Sequence, residues 1–114
     1  MDCIFCKIAK NEIASDAVYE DGVLRVVKDI HPKAPVHLLV IPKIHIQSVD
    51  QLEEIHNDLI AQLIHAAKNT ARSQGLSGYK LVFNVGRGGG QVIDHLHLHI
   101  LGGWKNDQEK TLNV

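Results

Sequence analysis

From His95 to Ile100 polar and apolar side chains alternate without a break, within His95-Leu96-His97-Leu98-His99-Ile100-Leu101. That period admits one regular structure. In a strand, successive side chains project to opposite faces, so the three imidazoles share one face while Leu96, Leu98 and Ile100 enter the core. A solvated strand face is ordinarily built from Lys, Glu and Thr. Three imidazoles about 7 Å apart supply nucleophiles, general acids and metal ligands near neutral pH instead. The chain has eight histidines in 114 residues, so the segment is part of a wider enrichment.

A chain of this length forms one domain, here 1–114, and buries roughly 65% of its unfolded surface. With 45% hydrophobic residues it is globular. Twelve Lys and Arg against 13 Asp and Glu leave a net charge of −1. Without a basic run the chain lacks the electrostatic footprint of a nucleic-acid binder or of a polybasic membrane binder. No apolar stretch approaches the ~18 to 20 residues of a membrane span, and Met1-Asp2-Cys3-Ile4 is not a cationic leader, so a cytoplasmic protein is expected. Two cysteines at C-x-x-C spacing are too few for a secreted disulfide framework, which leaves Cys3 and Cys6 as thiols or metal ligands.

The remaining pattern predicts a short helix over 3–10 and a hairpin of 18–20 with 23–28 about Asp21-Gly22. A loop over His31 to Pro35 follows from its two prolines, and 36–41 is a central strand stopped by Pro42. Ser48 and Gln51 form a candidate capping box. Beyond them Leu52, Ile55, Leu59, Leu63, Ala66 and Thr70 recur at three- and four-residue steps, predicting one long amphipathic helix that ends at Gln74 before Gly75. Strands are expected at 79–85 and 93–101, with a glycine-rich loop over 86–90 between them. The expected architecture is α+β, an antiparallel sheet of about five strands with one long and one short helix on one face.

Glycines Gly86 to Gly90 tolerate the left-handed conformations that turn backbone N–H groups around an anion. The loop leads into a strand and no lysine follows it, so it is not a P-loop.

Gly89-Gly90-Gln91 followed by His95-x-His97-x-His99 and Gly102-Gly103 resembles the signature of the histidine triad family, in its Hint-like branch of nucleotide-binding hydrolases. The resemblance extends back through 29–43 to Ile4-Phe5, about nine-tenths of the chain. It implies a dimeric histidine triad fold that cleaves purine nucleoside 5′-phosphoramidates or related nucleotidyl conjugates through a nucleotidyl-histidine intermediate. His97 is then the nucleophile, its other nitrogen held by a main-chain carbonyl and by His37, and His99 contacts the phosphate. Asn84 and the amides at Gly90, Gln91 and Val92 complete the anion cradle. Asp29 binds the ribose hydroxyls, and Ile4, Phe5, Ile8, Ile13, Val27, Ile30 and Leu39 clamp the purine. Read without the family, these apolar residues are ordinary core, and an Asp before a proline-rich loop is a turn former.

The same resemblance implies a structural Zn²⁺ held by Cys3, Cys6, His45 and His95, a closed set of two thiolates and two imidazoles. His31, His56 and His65 receive no role. The chain departs from the pattern at Val92, where many relatives carry a hydroxyl that assists the leaving group, and at Asp94, often aromatic. A non-catalytic purine nucleotide-binding or interaction protein is the competing expectation. The polar C-terminal tail also differs, and with it the leaving-group preference is not carried over.

Overall fold

The computed structural model describes residues 3–105; the polar tail beyond Lys105 lies outside them. Its centre is a five-stranded antiparallel sheet in the order β1-β2-β3-β5-β4. The strands are β1 (Ala17–Glu20), β2 (Leu24–Lys28), β3 (Val36–Pro42), β4 (Tyr79–Val82) and β5 (Leu98–Gly102). Helix α1 spans Ile4–Ala9 and α2 spans Asn57–Ser73. Among the described residues no helix is long and apolar enough to cross a membrane.

The strand alternation gives the sheet two apolar faces, each with its own helix. Leu24, Val26, Leu38, Val40, Leu98 and Ile100 pack against Leu59, Leu63, Ala66, Ala67 and Ala71 of α2. Val27, Leu39 and Ile41 point the other way and meet Phe5 and Ala9 of α1. The helices therefore lie on opposite faces, not on one as expected: a central strand buried on both sides, as β3 is, needs a cover for each. At β1–β2 the turn is closed by Asp21, whose Oδ1 accepts the Val23 and Leu24 amides at 2.8 and 3.0 Å.

Three boundaries differ from the sequence expectation. The candidate cap is formed, since Ser48 Oγ accepts the Asp50 amide and donates to Gln51 Oε1, but it starts only a 3-10 turn over Val49–Gln51. Leu52 then turns extended (φ −69°, ψ 140°), and α2 begins five residues later. Ile55, assigned to the inner face, is consequently 86% exposed. His56 does work there, because its Nδ1 accepts the Glu53 amide at 3.0 Å and holds the turn that leads into α2.

The last strand pairs only from Leu98. Its alternation continues upstream, but the partner strand ends at Pro42, which has no N–H to continue the ladder and whose carbonyl accepts from His95 Nε2 at 2.9 Å. The Leu96 amide bonds instead to the Ile46 carbonyl at 2.7 Å. Strand β4 likewise stops at Val82, leaving Asn84 in the half-buried approach to the glycine loop.

Candidate active site

The β3–β5 register sets Leu39 opposite His99 and His37 opposite Leu101. His37 and His99 therefore lie diagonally on the face that carries Leu39 and Ile41, and His97 enters that face from the segment before β5. All three triad imidazoles are buried, His95 fully. The rings of His97 and His99 stand edge to face with centroids 5.0 Å apart, and Phe5 of α1 meets His97 edge-on at 4.9 Å.

His95 and His97 each have one nitrogen on a main-chain carbonyl, which only accepts and so fixes the ring proton. His97 Nδ1 lies 2.6 Å from the His95 carbonyl, so Nδ1–H donates and the Nε2 lone pair is left free. Burial pushes the His97 pKa below the ordinary imidazole value, and the ring is neutral at pH 7. A buried neutral imidazole with one unshared lone pair is a competent nucleophile. His99 takes the opposite form. Its Nδ1 is 2.9 Å from His37 Nε2, while its own Nε2 is buried without a partner among the described residues. Burial, reinforced by the neighbouring histidines, lowers the His99 pKa to about 4. The expected bond from His37 to His97 is thus made to His99.

Asp29 follows β2. Its Oδ1 accepts the His31 amide at 2.8 Å, the turn role the residues alone suggest, and its Oδ2 lies 3.4 Å from His37 Nε2. Phe5, Ile8, Val27 and Leu39 form one apolar cluster beside the rings. Ile4, Ile13 and Ile30 lie outside it, 48%, 37% and 85% exposed.

The glycine loop is a compact turn, with left-handed Gly86 (φ 71°) and Gly90 (φ 89°) bracketing it. Its amides are largely spent internally: Gly89 and Gln91 N–H donate to the Gly86 carbonyl, and Gly90 N–H to that of Arg87. Val92, 78% exposed, follows them. Gln91, expected to line the nucleotide, is instead 3% exposed and staples the loop. Its Oε1 accepts the Gly86 amide at 2.9 Å, and its Nε2 donates to the Gln47 and Ile93 carbonyls at 2.7 and 2.9 Å. Arg87 donates to the Gln91 carbonyl and forks onto both carboxylate oxygens of Asp94 at 3.0 and 3.1 Å. Sequence reasoning missed both features. Gln91 carried a signal, a long amide wedged between a flexible loop and a buried strand.

A second cluster lies on the far side of His97. Cys3 Sγ, Cys6 Sγ, His45 Nδ1 and His95 Nδ1 fall within 4.8 Å of one another. Both cysteines are free. Separations are 3.2 Å for His45–His95 and for Cys6–His45, 3.3 Å for Cys3–His95 and 3.4 Å for Cys6–His95. A tetrahedral zinc with Zn–N near 2.05 Å and Zn–S near 2.3 Å spaces such atoms by about 3.3 to 3.6 Å, so the set fits the ion. The His95 tautomer fits too. Nε2–H donates to the Pro42 carbonyl, which leaves Nδ1 as the ligand and supplies the outer-shell acceptor that metal-bound imidazoles use. With all four positions taken by protein, zinc there would cross-link α1 to the segment carrying His97 and supply no chemistry of its own.

Asp29, His37 and His99 also converge within 4.8 Å, but this set does not fit a metal. The Lys33 amide donates to His37 Nδ1 at 2.9 Å, so His37 Nε2 keeps its proton and has no lone pair to give.

The chain matches the family described as Scavenger mRNA decapping enzyme C-term binding over residues 2–111. Protein HitA of Neisseria gonorrhoeae is 46% identical over 102 residues, 89% of this chain and 95% of that protein. The purine nucleoside phosphoramidase of Escherichia coli is 40% identical over 104 residues, 90% and 87% of the two chains. A 14 kDa zinc-binding protein of Zea mays is 43% identical over 103 residues, 88% and 80%. Among solved structures, a HIT family hydrolase from Legionella pneumophila superposes with a TM-score of 0.89 at 47% identity, covering 91% of this chain and 95% of that one. A zinc-bound histidine triad family protein from Mycobacterium smegmatis gives 0.81 at 27% identity, covering 96% and 81%. With the His-x-His-x-His segment folded as described and these relatives matched along nearly their whole length, the chain belongs to the histidine triad family.

Proposed function

We propose that this protein is a nucleotide hydrolase that cleaves purine nucleoside 5′-phosphoramidates or related nucleotidyl conjugates. The observation that carries the reading is His97, a buried neutral imidazole whose Nδ1–H is spent on the His95 carbonyl and whose Nε2 lone pair is free. In the first step Nε2 attacks the α-phosphorus, a P–N bond to the imidazole forms, and the bond to the leaving amine breaks as the amine takes up a proton from solvent. Water then attacks the same phosphorus and gives a proton back to solvent, the bond to Nε2 breaks, and the nucleoside monophosphate leaves. Splitting the displacement in two lowers each barrier.

The neighbours supply binding and charge stabilisation. His99 offers Nε2–H to a phosphoryl oxygen, joined by the Val92 amide and Asn84, where negative charge develops in the transition state. Asp29 takes the ribose hydroxyls, and Phe5, Ile8, Val27 and Leu39 form the wall against the purine. Cys3, Cys6, His45 and His95 would hold a structural zinc, which would fix α1, and with it Phe5, in place. The homodimer implied by the family would form along β4, an open sheet edge where Leu81 is 37% exposed.

Val92 favours a second reading, a nucleotide-binding protein without turnover, because no hydroxyl stands there to assist the leaving group. Incubation with adenosine 5′-phosphoramidate distinguishes them. AMP release that disappears in His97→Ala supports the hydrolase; AMP binding with turnover no greater than in His97→Ala selects the binding protein.

A further inference from the structure

We propose that the main-chain amide of Lys33 fixes the polarity of the His37–His99 pair, and so decides that His99 faces the reaction site as a hydrogen-bond donor. A neutral imidazole has one donor and one acceptor, and two such rings in contact have two self-consistent arrangements of opposite direction. Nothing in the pair itself chooses between them.

The choice is made from outside. The Lys33 N–H, 2.9 Å from His37 Nδ1, only donates, so the His37 proton sits on Nε2. That nitrogen faces two acceptors, His99 Nδ1 at 2.9 Å and Asp29 Oδ2 at 3.4 Å. His99 Nδ1 must then accept, which places its proton on Nε2, buried and unspent among the described residues. With the pair reversed, His99 would present a lone pair there and repel a phosphoryl oxygen.

One turn supplies both outside groups. Asp29 Oδ1 accepts the His31 amide at 2.8 Å, Pro32 has no amide, and Lys33 is the next residue with an N–H to offer. The Lys33 side chain points elsewhere, onto the His31 carbonyl. Burial keeps the rings neutral, lowering both imidazole pKa values, so the tautomer argument holds at pH 7. Lys33 is thus a positioning residue that acts through its backbone. The inference rests on the hydrolase reading only for what His99 then meets; the tautomers stand apart from it.

The test is imidazole ¹⁵N NMR of the wild-type protein without nucleotide. His37 and His99 are both expected as Nε2–H tautomers, and Nδ1–H on either ring overturns the proposal. Lys33→Pro deletes the amide and is expected to mix the His37 tautomers and weaken AMP binding about 10- to 100-fold, the worth of one hydrogen bond to a charged group. Lys33→Ala keeps the amide and the wild-type tautomers; a change equal to that of Lys33→Pro would assign the effect to the side-chain charge and refute the proposal. If the wild type shows the expected tautomers yet binds no AMP, the hydrolase reading fails while the assignment of polarity stands.

Discussion

Replacing Gln91 by Glu changes one nitrogen to oxygen at a side chain that is 3% exposed. The wild-type Nε2 donates to the Gln47 and Ile93 carbonyls at 2.7 and 2.9 Å, so an ionised Glu turns two donor–acceptor contacts into acceptor–acceptor ones. Losing two hydrogen bonds costs about 1 to 3 kcal/mol, and burying an unpaired charge brings the total to about 3 to 5 kcal/mol at pH 7. Protonation relieves most of this, since a carboxylic acid again donates to one carbonyl. The folded-state pKa of Glu at position 91 must then be raised above its unfolded value near 4.3. A cost of ~3 kcal/mol corresponds to a shift of about two pH units. Below about pH 4.3 only the one hydrogen bond that the acid cannot make is therefore missing, and the ionisation penalty grows as pH rises and is complete above roughly pH 6.5. Urea unfolding of wild type and Gln91→Glu at pH 4.5, 6 and 7.5 reads this directly, and the difference between them cancels the titration of the shared histidines. A difference below about 1 kcal/mol at pH 7.5, or one that does not change with pH, would show that Gln91 does not clamp the loop in this way.

Other perturbations test the remaining parts of the site. His99, with a pKa near 4 in the fold against 6.5 in the ordinary state, binds its proton less tightly when folded. Its contribution is present above about pH 6.5 and lost as pH falls toward 4, costing about 2 to 3 kcal/mol; denaturant unfolding of His99→Asn should show a correspondingly flatter acid limb. Purified protein is expected to carry about one zinc per chain by elemental analysis, lost in Cys3→Ser. Chelation should raise hydrogen exchange across Ile4–Ala9, since a six-residue helix has little stability of its own; unchanged protection would show that α1 docks without the metal. Gly102→Ala drives a Cβ to 2.9 Å from Leu76 Cδ1 and 3.3 Å from the Gly78 carbonyl. The methyl can swing away but the carbonyl is backbone, so a loss of about 1 to 3 kcal/mol in thermal unfolding is expected.

What was legible in the sequence was whatever period and local chemistry determine. Alternation located the histidine segment, an apolar β-rich run stopped by Pro42 located β3, and the turn at Asp21-Gly22 placed the first hairpin. The start of α2 was not legible, because Ser48 and Gln51 satisfy a helix cap and a single 3-10 turn equally well; what ends the turn is the extended backbone at Leu52. The last strand was overextended for a related reason. Alternation reports which way side chains face, not whether a neighbour is present to pair, and the neighbour runs out at Pro42. In the site, residue types were readable and partners were not. The bond between His37 and His99, 62 residues apart, depends on which strands adjoin and in what register. The Arg87–Asp94 fork depends on the path of a loop whose glycines leave no periodic trace.

The three histidines of the triad are chemically identical residues two positions apart, and their separate capacities come from one backbone or side-chain partner each. Pro42 accepts from His95 Nε2, so Nδ1 turns a lone pair to the cysteines. The His95 carbonyl accepts from His97 Nδ1, so a lone pair remains at Nε2. His37 donates to His99 Nδ1, so a proton remains at Nε2. On the proposed reading, ligand, nucleophile and donor follow in that order along one segment. This also explains how a chain of net charge −1 can be suited to an anion. No cationic side chain is needed at the rings: burial holds the imidazoles neutral, and fixed hydrogen bonds tell each ring which nitrogen to present.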